Sequence, residues 1–294
     1  DKCERDSGSF LTHKTTGNLL HQLKRLRPQQ RMQGCARLWD GQKYTDDFES
    51  MVAIIKEAAL ARQGQDTSDD RLGQELLDSW GIDLSNCRTE LHEVEIIELI
   101  LGAPSHKQPG PDGLASEFHK QFAKCLAPIY KECWAALLGG QEQDAAFLQH
   151  LGERKWLVVP KTNDACTTDK LRDLELLNET RKTLARMVNR VLDEQFRTRL
   201  HPAQQAFITS GDISRNLTML QSTFRDYQHI LTDELLLILS LDCSKAYNHT
   251  AWRWLRRCLA ASRMPEALQY LILAFLPGTA YLEFQGIATD GIQA

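Results

Sequence analysis

The sequence predicts a helix-rich α+β protein. Apolar residues recur at helical spacing in several long segments, for example from Leu91 to Leu101. Two short and continuous apolar runs, Trp156–Val159 and Leu235–Leu241, are typical of buried strands instead. Hydrophobic residues make up 42% of the 294 residues and charged residues 25%, which is an ordinary globular composition. A chain of this length buries a sizeable core without a disulfide or metal staple.

Five helices are predicted from the apolar periodicity and from the glycines and prolines that interrupt it. They span about 45–62, 88–101, 114–138, 179–197 and 213–227. Asp46 and Asp47 fall in the first turn of the first helix, where carboxylates suit the positive end of the helix dipole. Asp112 is the candidate N-cap of the third helix. Residues 63–71 have the composition of a loop.

The eight cysteines give no metal-binding pattern, because no two lie at C-x-x-C spacing and none combines with histidines at zinc-finger spacing. We therefore expect reduced thiols and an intracellular protein, whether nuclear or cytoplasmic. The apolar run Leu235–Leu239 is far shorter than the roughly 20 residues that cross a bilayer, so no membrane partner is expected.

The charge distribution predicts any polyanion site in the second half of the chain. The net charge is −4, but residues 1–150 contain 17 basic and 23 acidic residues, whereas residues 151–294 contain 18 and 16. Lys182, Arg186 and Arg190 recur every four residues on the face of their helix opposite the apolar one. Such a stripe suits a phosphate backbone, and an ordinary solvated helix face is the alternative interpretation.

A second basic group lies near the end of the chain. Five basic residues and no acidic one occur from Lys245 to Arg263, among them Arg253, Arg256 and Arg257. Trp252, Leu255 and Leu259 give this segment an apolar helix face, which leaves the arginines largely outward. A cationic helix of this kind favours a polynucleotide partner.

Two further features are candidates for chemistry. The loop Lys107–Gly113 contains two prolines and two glycines, which force a tight and rigid turn, although a plain helix-to-helix connection would have the same composition. Asp242 follows the apolar run Leu235–Leu241, and a carboxylate at the exit of a buried strand is a suitable magnesium ligand. A strand-capping aspartate in a turn is the alternative there.

Five motifs, in this order, resemble the non-LTR (LINE-type) retrotransposon reverse transcriptases. The resemblance covers roughly Leu91 to the end, about two thirds of the chain. The motifs are Lys107-x-Pro109-Gly110-Pro111-Asp112-Gly113, Val159-Pro160-Lys161, Arg172 with Leu176-Leu177-Asn178, Gln204-x-Ala206-Phe207-Ile208, and Asp242-x-x-x-Ala246-Tyr247.

The resemblance implies a partial right-hand polymerase fold. Residues 91–230 would be fingers built from helices and a small hairpin, and residues 1–90, which the resemblance does not cover, are expected to form a largely helical N-terminal extension. Residues 231–294 would be an incomplete palm with a small antiparallel sheet, including a strand near Tyr281–Phe284. The expected partners are an RNA template, a DNA primer and deoxynucleoside triphosphates.

The resemblance also implies roles for single residues. Asp242 would be the first metal-binding and catalytic aspartate, with Mg²⁺ as cofactor, and Tyr247 would exclude a ribose 2′-hydroxyl. Lys161 and Arg172 would hold the incoming triphosphate or the template, and Phe207 would lie near the template. The reaction would be attack of a primer 3′-hydroxyl on the α-phosphate of the nucleotide.

The chain departs from the family at several points. Asp173-Leu174-Glu175 follows Arg172 where the family has Pro-Ile-Ser, which puts two negative charges beside a phosphate site. Thr209-Ser210-Gly211 stands where the family has Pro-Gly-Arg. No Asp-Asp pair follows Asp242, so two metal ligands of the family are missing.

We therefore expect a fragment of a longer reverse transcriptase, or a decayed copy of one, that does not polymerise by itself. A non-catalytic RNA-binding remnant is the second possibility. A purely structural helical domain that contains these motifs by chance is the third.

Overall fold

The backbone hydrogen bonding confirms the α+β class, with about 53% helix and small sheets. The computed structural model describes residues 36–62, 70–139, 145–162, 164–208, 211–230, 239–243, 246, 250–276, 278–285 and 287–293. The described ranges contain ten α-helices: α1 (Phe48–Arg62), α2 (Asp70–Ser79), α3 (Glu93–Leu101), α4 (Ser116–Gln121), α5 (Ala123–Leu138), α6 (Ala145–Gly152), α7 (Glu179–Phe196), α8 (Ile213–Ile230), α9 (Trp252–Ala261) and α10 (Glu266–Ala274). The strands in these ranges are β1 (Leu38–Trp39), β2 (Tyr44–Thr45), β3 (Arg154–Pro160), β4 (Leu171–Leu177), β5 (Thr279–Phe284) and β6 (Ile287–Gln293).

Helices α7 and α8 agree with the predicted helices 179–197 and 213–227, but α1 starts later than predicted. Thr45 belongs to strand β2, where it pairs with Leu38, and it is therefore not helical. The carboxylate of Asp47 accepts the backbone N–H of Ser50 at 2.8 Å. Asp47 therefore caps the helix from outside instead of lying in its first turn.

The two predicted helices 88–101 and 114–138 are both altered in the structure. Helix α3 begins five residues later than predicted. The second segment forms two helices, α4 and α5, which meet at Phe122, where φ −106° and ψ 18° leave the helical region. Ala115 is the N-cap of α4, so the prediction for Asp112 is wrong. The Asp112 carboxylate instead accepts the N–H of Leu114 at 3.0 Å, within the loop.

The main sheet has the strand order β4-β3-β5-β6. Strands β3 and β4 form an antiparallel hairpin in which Val159 lies opposite Arg172 and Pro160 opposite Leu171. Strand β5 confirms the strand expected near Tyr281–Phe284, and it pairs antiparallel with β6. However, β5 also runs parallel to β3, so the main sheet is mixed and not antiparallel throughout. Helices between β3 and β5 along the chain supply the crossover that a parallel pair needs.

The apolar run before Asp242 is only partly within the described residues. Residues 235–238 lie outside them. Leu239 and Leu241 have no strand pairing and are 73% and 82% exposed. The prediction of a buried strand is therefore wrong for 239–241, and it stays a prediction for 235–238.

Two hydrophobic cores hold the elements together. A helical core contains Trp134 of α5 and Met187 of α7 together with Leu268 of α10, all nearly inaccessible to solvent. A second core lies between α1 and the main sheet and includes Trp156 and Leu282. Both cores combine residues from the segments 1–90, 91–230 and 231–294, whose boundaries stay a prediction.

Asn178 joins three parts of the fold. Its side chain is fully buried between the end of β4 and the start of α7. The side-chain oxygen accepts the backbone N–H of Asp112 at 3.1 Å, and the amide nitrogen donates to the carbonyl of His150 at 3.1 Å. Its own backbone carbonyl accepts the N–H of Lys182 in the first turn of α7. The loop Lys107–Gly113, helix α6 and helix α7 are therefore tied to one residue.

Gly110 allows the loop to approach Asn178 this closely. A Cβ atom at Gly110 would lie 2.4 Å from the backbone nitrogen of Asn178 and 2.5 Å from its side-chain oxygen. The backbone nitrogen cannot move away as a flexible side chain would, so only glycine fits. Gly113, at φ +73°, then reverses the chain and donates its N–H to the carbonyl of Gly110.

We predict that Asn178→Ala lowers the free energy of unfolding by about 2 kcal/mol, because the N–H of Asp112 and the carbonyl of His150 both lose their partner. Gly110→Ala is expected to cost at least as much, since its Cβ collides with backbone. Urea unfolding followed by circular dichroism measures both changes.

Asn189→Ala is the matched control, because Asn189 is exposed on the same helix, α7. It should change stability by less than about 0.5 kcal/mol. Equal effects of Asn178→Ala and Asn189→Ala would show that the buried hydrogen bonds of Asn178 do not stabilise the fold.

Candidate nucleic-acid interface

The hairpin β3–β4 brings Lys161 and Arg172 to one face of the sheet. Cross-strand partners share a face, and residues two apart along a strand share it too. Arg172 lies opposite Val159, and the N–H of Lys161 donates to the carbonyl of Lys170 at 2.9 Å, which continues the ladder. Lys161, Lys170 and Arg172 therefore cluster at the end of the hairpin, and all three are exposed. We call these three residues the hairpin cluster.

The two acidic residues that follow Arg172 do not share its face. Asp173 accepts a hydrogen bond from the indole N–H of Trp156 at 3.3 Å, on the side that packs into the second core. Glu175 lies two residues further, on that same side, 3.8 Å from Arg154. The strand alternation therefore directs both negative charges away from the hairpin cluster. Asp173 and Glu175 therefore do not oppose an anion at the hairpin cluster, although the exposed carboxylate of Asp164 lies 4.0 Å from Lys170.

Asp242 is exposed and lies outside regular secondary structure. Tyr247 lies outside the described residues. Within the described ranges, no three histidine, cysteine, aspartate or glutamate side chains form a group that could hold a metal ion. One exposed carboxylate does not make a two-metal centre, so the magnesium role of Asp242 stays a prediction.

Phe207 lies on the loop between α7 and α8. Its side chain is 90% exposed, and its backbone adopts the left-handed conformation at φ +63°. Non-glycine residues adopt this conformation rarely. The loop therefore presents an aromatic ring at the surface, outside both cores, and its predicted contact with a template stays a prediction.

The basic stripe of α7 is paired with carboxylates of the protein itself. Glu179, itself buried, pairs with Arg186 and lies 3.6 Å from Lys182. Arg190 lies 3.7 Å from Glu95 and 3.5 Å from Glu98. The carboxylates of α3 and of the first turn of α7 thus compensate all three cations. Binding of phosphates by this stripe would require these ion pairs to open.

Glu95 is the most strongly bound of these carboxylates. Arg88 donates to both of its oxygens, at 2.7 and 3.3 Å, and the backbone N–H of His92 donates at 3.0 Å. The hydrogen bond from Arg88 and that from His92 lower the pKa of Glu95 to about 2, and the charges of Arg88 and Arg190 add to the shift. This group links the chain before α3 to helix α7.

The three arginines of α9 have different surroundings. Arg257 donates to the side-chain oxygen of Gln74 at 3.3 Å and lies over the ring of Trp254 at 5.3 Å. It therefore helps to join α9 to α2. Arg253 and Arg256 are exposed, as predicted for the outward side of this helix.

A buried polar pair joins α4 and α5, the two helices that follow the loop Lys107–Gly113. The ring of His119 on α4 lies 3.0 Å from the hydroxyl of Tyr130 on α5, measured from Nδ1, and both side chains are buried. Burial is the main cause that lowers the pKa of His119 and raises that of Tyr130. The pair joins α4 to α5 through two buried side chains.

Three features of the region around the hairpin and α7 were not predicted from the sequence. Sequence reasoning gave no role to Asn178, although the residue stood in a motif. It also missed Lys170, which a hairpin register would have paired with Lys161. The acidic residues of α3 that pair with α7 could not be predicted, because nothing in the sequence indicates that these two helices pack together.

No family model matches the chain. Among the helices of the described residues, none combines the length and apolarity needed to span a bilayer.

We predict that the ion pairs of Glu95 make stability depend on pH. A carboxyl group with a lowered pKa in the folded state stabilises it fully above its usual value of 4.5, and this contribution is lost as the pH falls towards 2. The side chain is 17% exposed, so we expect about 2 kcal/mol at pH 7. Urea unfolding of the protein and of Glu95→Gln between pH 7 and pH 3 measures it.

The stability difference between the two proteins should shrink as the pH falls. Glu93→Gln is the control, since Glu93 lies in the same helical turn with its side chain 51% exposed. A difference for Glu95→Gln that stays constant over this pH range would show that Glu95 is not held by its partners.

Proposed function

We propose that the chain is part of an RNA-directed DNA polymerase domain of the kind found in non-LTR retrotransposons, and that it contributes RNA and nucleotide binding to that domain. The observation that carries the proposal is the direct contact between motifs that are far apart in sequence. Asp112 of the loop Lys107–Gly113 donates its N–H to Asn178, the last residue of the motif that begins at Arg172. Arg172 in turn lies opposite Val159 of a third motif.

Three of the five motifs that carry the resemblance thus form one continuous unit. A chance occurrence of these motifs gives no reason for them to meet, because 66 residues separate Asp112 from Asn178. Their contact favours a common architectural role over unrelated turns and strands. The contact therefore supports the polymerase-related proposal over a purely structural helical domain.

The hairpin cluster supports binding of phosphate groups. Lys161, Lys170 and Arg172 add three positive charges to one exposed end of the hairpin. Asp173 and Glu175 are directed to the other face, and the one carboxylate paired with the cluster among the described residues is that of exposed Asp164, 4.0 Å from Lys170. Arginine and lysine at an exposed edge can neutralise phosphates and release their counterions. We propose that this cluster contacts the template or the incoming triphosphate.

Asp242 and Tyr247 would contribute to the polymerase site by resemblance alone. Asp242 would donate one carboxylate to Mg²⁺, and Tyr247 would lie against the sugar of the nucleotide. Since no Asp-Asp pair follows Asp242 in this sequence, we propose that the chain as given binds RNA without extending a primer. A non-catalytic RNA-binding remnant is the second candidate function, and it would rest on the same surface.

We predict no primer extension by this chain on a poly-rA template primed with oligo-dT, with either magnesium or manganese. The reason is that one carboxylate cannot hold two metal ions. Incorporation of labelled thymidine nucleotide measures the activity, with an active reverse transcriptase as positive control. Extension that disappears in Asp242→Ala would show that the chain holds a complete catalytic site.

We also predict salt-dependent RNA binding through the hairpin cluster. In filter binding between 50 and 200 mM salt, the double variant Lys161→Gln/Arg172→Gln should bind single-stranded RNA roughly tenfold more weakly. It should also reduce the slope of log affinity against log salt by about 1.4, since each single-strand phosphate contact contributes about 0.7.

The matched control removes two exposed charges elsewhere, as Lys124→Gln/Arg215→Gln. Equal losses in both double variants would mean that total charge, and not the hairpin cluster, determines binding. Absence of any RNA binding by the unaltered chain would overturn the proposed function.

A further inference from the structure

An open cavity of about 660 Å³ lies between α6, α9, α10 and the start of β5. This volume falls within the range of roughly 300–1,000 Å³ that is common for small-molecule sites. Helix α6 was not predicted from the sequence, so the cavity could not have been anticipated. None of the five motifs contributes a residue to it.

The walls of the cavity combine three kinds of side chain. Leu148 of α6 and Leu273 of α10 are apolar, and Tyr270 adds an aromatic ring that is 50% exposed. Gln149 and Thr279 add polar groups that can both donate and accept hydrogen bonds. Arg256 contributes the one positive charge among the lining residues.

The charge of Arg256 is not compensated in the way that the charges of α7 are. Within the ranges that the structure describes, no carboxylate lies within ion-pair distance of its guanidinium group, whereas Arg186 and Arg190 both have one. Leu259 anchors α9 in the helical core, and Trp254 contacts α2 at Gly73. This anchoring fixes the helix with Arg256 at the cavity.

We infer that this cavity takes one nucleotide of a single RNA strand, with the base against Tyr270 and the phosphate at Arg256. The inference rests on the proposed function and assigns RNA binding to a second surface, separate from the hairpin cluster. An aromatic ring, an apolar wall and a guanidinium group are the combination that single-stranded nucleic acids use for stacking and charge neutralisation.

The exposure of the two key side chains favours a strand over a small enclosed ligand. Arg256 is exposed and Tyr270 is half-exposed, so a polymer can continue beyond the cavity on the solvent side. Arg253 lies three residues before Arg256, on the same side of α9. A neighbouring phosphate of the strand would meet this second cation.

Fluorescence anisotropy with a fluorescein-labelled 12-residue oligouridylate tests the inference on the full chain. Arg256→Gln should raise the Kd several-fold and lower the slope of log affinity against log salt by about 0.7, because one phosphate contact is lost. Tyr270→Ala should raise the Kd about tenfold and leave the salt slope unchanged, because stacking is lost and no charge is removed.

The control pair is Arg215→Gln and Tyr227→Ala, which alter an exposed arginine and an exposed tyrosine of α8. Neither should change the Kd by more than about twofold. Circular dichroism of each variant verifies that the chain is folded.

A strand of the same length without bases gives a second measurement that needs no variant. The unaltered chain should bind this abasic strand about as weakly as Tyr270→Ala binds oligouridylate, if the base stacks in the cavity. Equal affinity for the abasic strand and for oligouridylate would overturn the inference, as would unchanged binding in Arg256→Gln and Tyr270→Ala. In both cases the proposed function would stand, whereas failure of the unaltered chain to bind either strand would overturn both.

Discussion

The buried amide of Asn178 fixes the relative position of the hairpin, the proline-glycine loop and helix α7. An amide side chain has both a donor and an acceptor, and here the acceptor serves the N–H of Asp112 while the donor serves the carbonyl of His150. An aspartate would lack the donor, and a leucine would lack both. In a site fully shielded from water, each unpaired group would cost about 1–3 kcal/mol. Gly110 lies so close to Asn178 that any larger residue at position 110 would collide with it.

The hydrogen bonds of Asn178 also affect where the basic residues lie, because they fix the start of α7. Helix α7 starts directly after Asn178 and packs beside α3, so its cations meet the carboxylates Glu95 and Glu98. A cation held between packed elements needs a partner, since removing a charge from water is costly. Arg172 of the hairpin and Arg256 at the cavity are exposed instead, whereas Lys170 lies 4.0 Å from the exposed carboxylate of Asp164. The position of a basic residue in the fold, and not its spacing in sequence, thus determines whether it can meet a polyanion.

Much of the local structure follows from the sequence. The periodicity of residues 179–197 predicts α7 closely, and the apolar run Trp156–Val159 identifies the centre of β3. The break at Phe122 was not predictable, because no glycine or proline marks it. Pro128 lies well inside α5, where a proline normally ends a helix. Local propensity therefore does not locate the boundaries in this region, which depend on packing between α3, α4 and α5.

The pairing of strands that are far apart in sequence was the second feature that could not be predicted. Strand β4 reads as Leu-Arg-Asp-Leu-Glu-Leu-Leu, which has no clean alternation, and only its register with β3 shows which residues share a face. The parallel pairing of β3 with β5 joins residues more than 120 positions apart, such as Arg154 and Ala280. Sequence patterns within a short window contain no information on such pairs. The candidate site was the hardest part to predict, since its charge balance depends on contacts between residues far apart in sequence.

The composition of the loop Lys107–Gly113 has a structural explanation that does not involve chemistry. The loop connects α3 to α4, as the plain interpretation of the motif holds, and its glycines are required by the approach to Asn178 and by the turn at Gly113. A motif that exists for packing indicates a shared architecture more directly than a shared reaction. The chemistry of the proposed polymerase would depend on Asp242 and on further carboxylates, and not on this loop. The packing of this loop is therefore compatible with the proposed relationship in architecture, and it does not depend on whether the proposed reaction takes place.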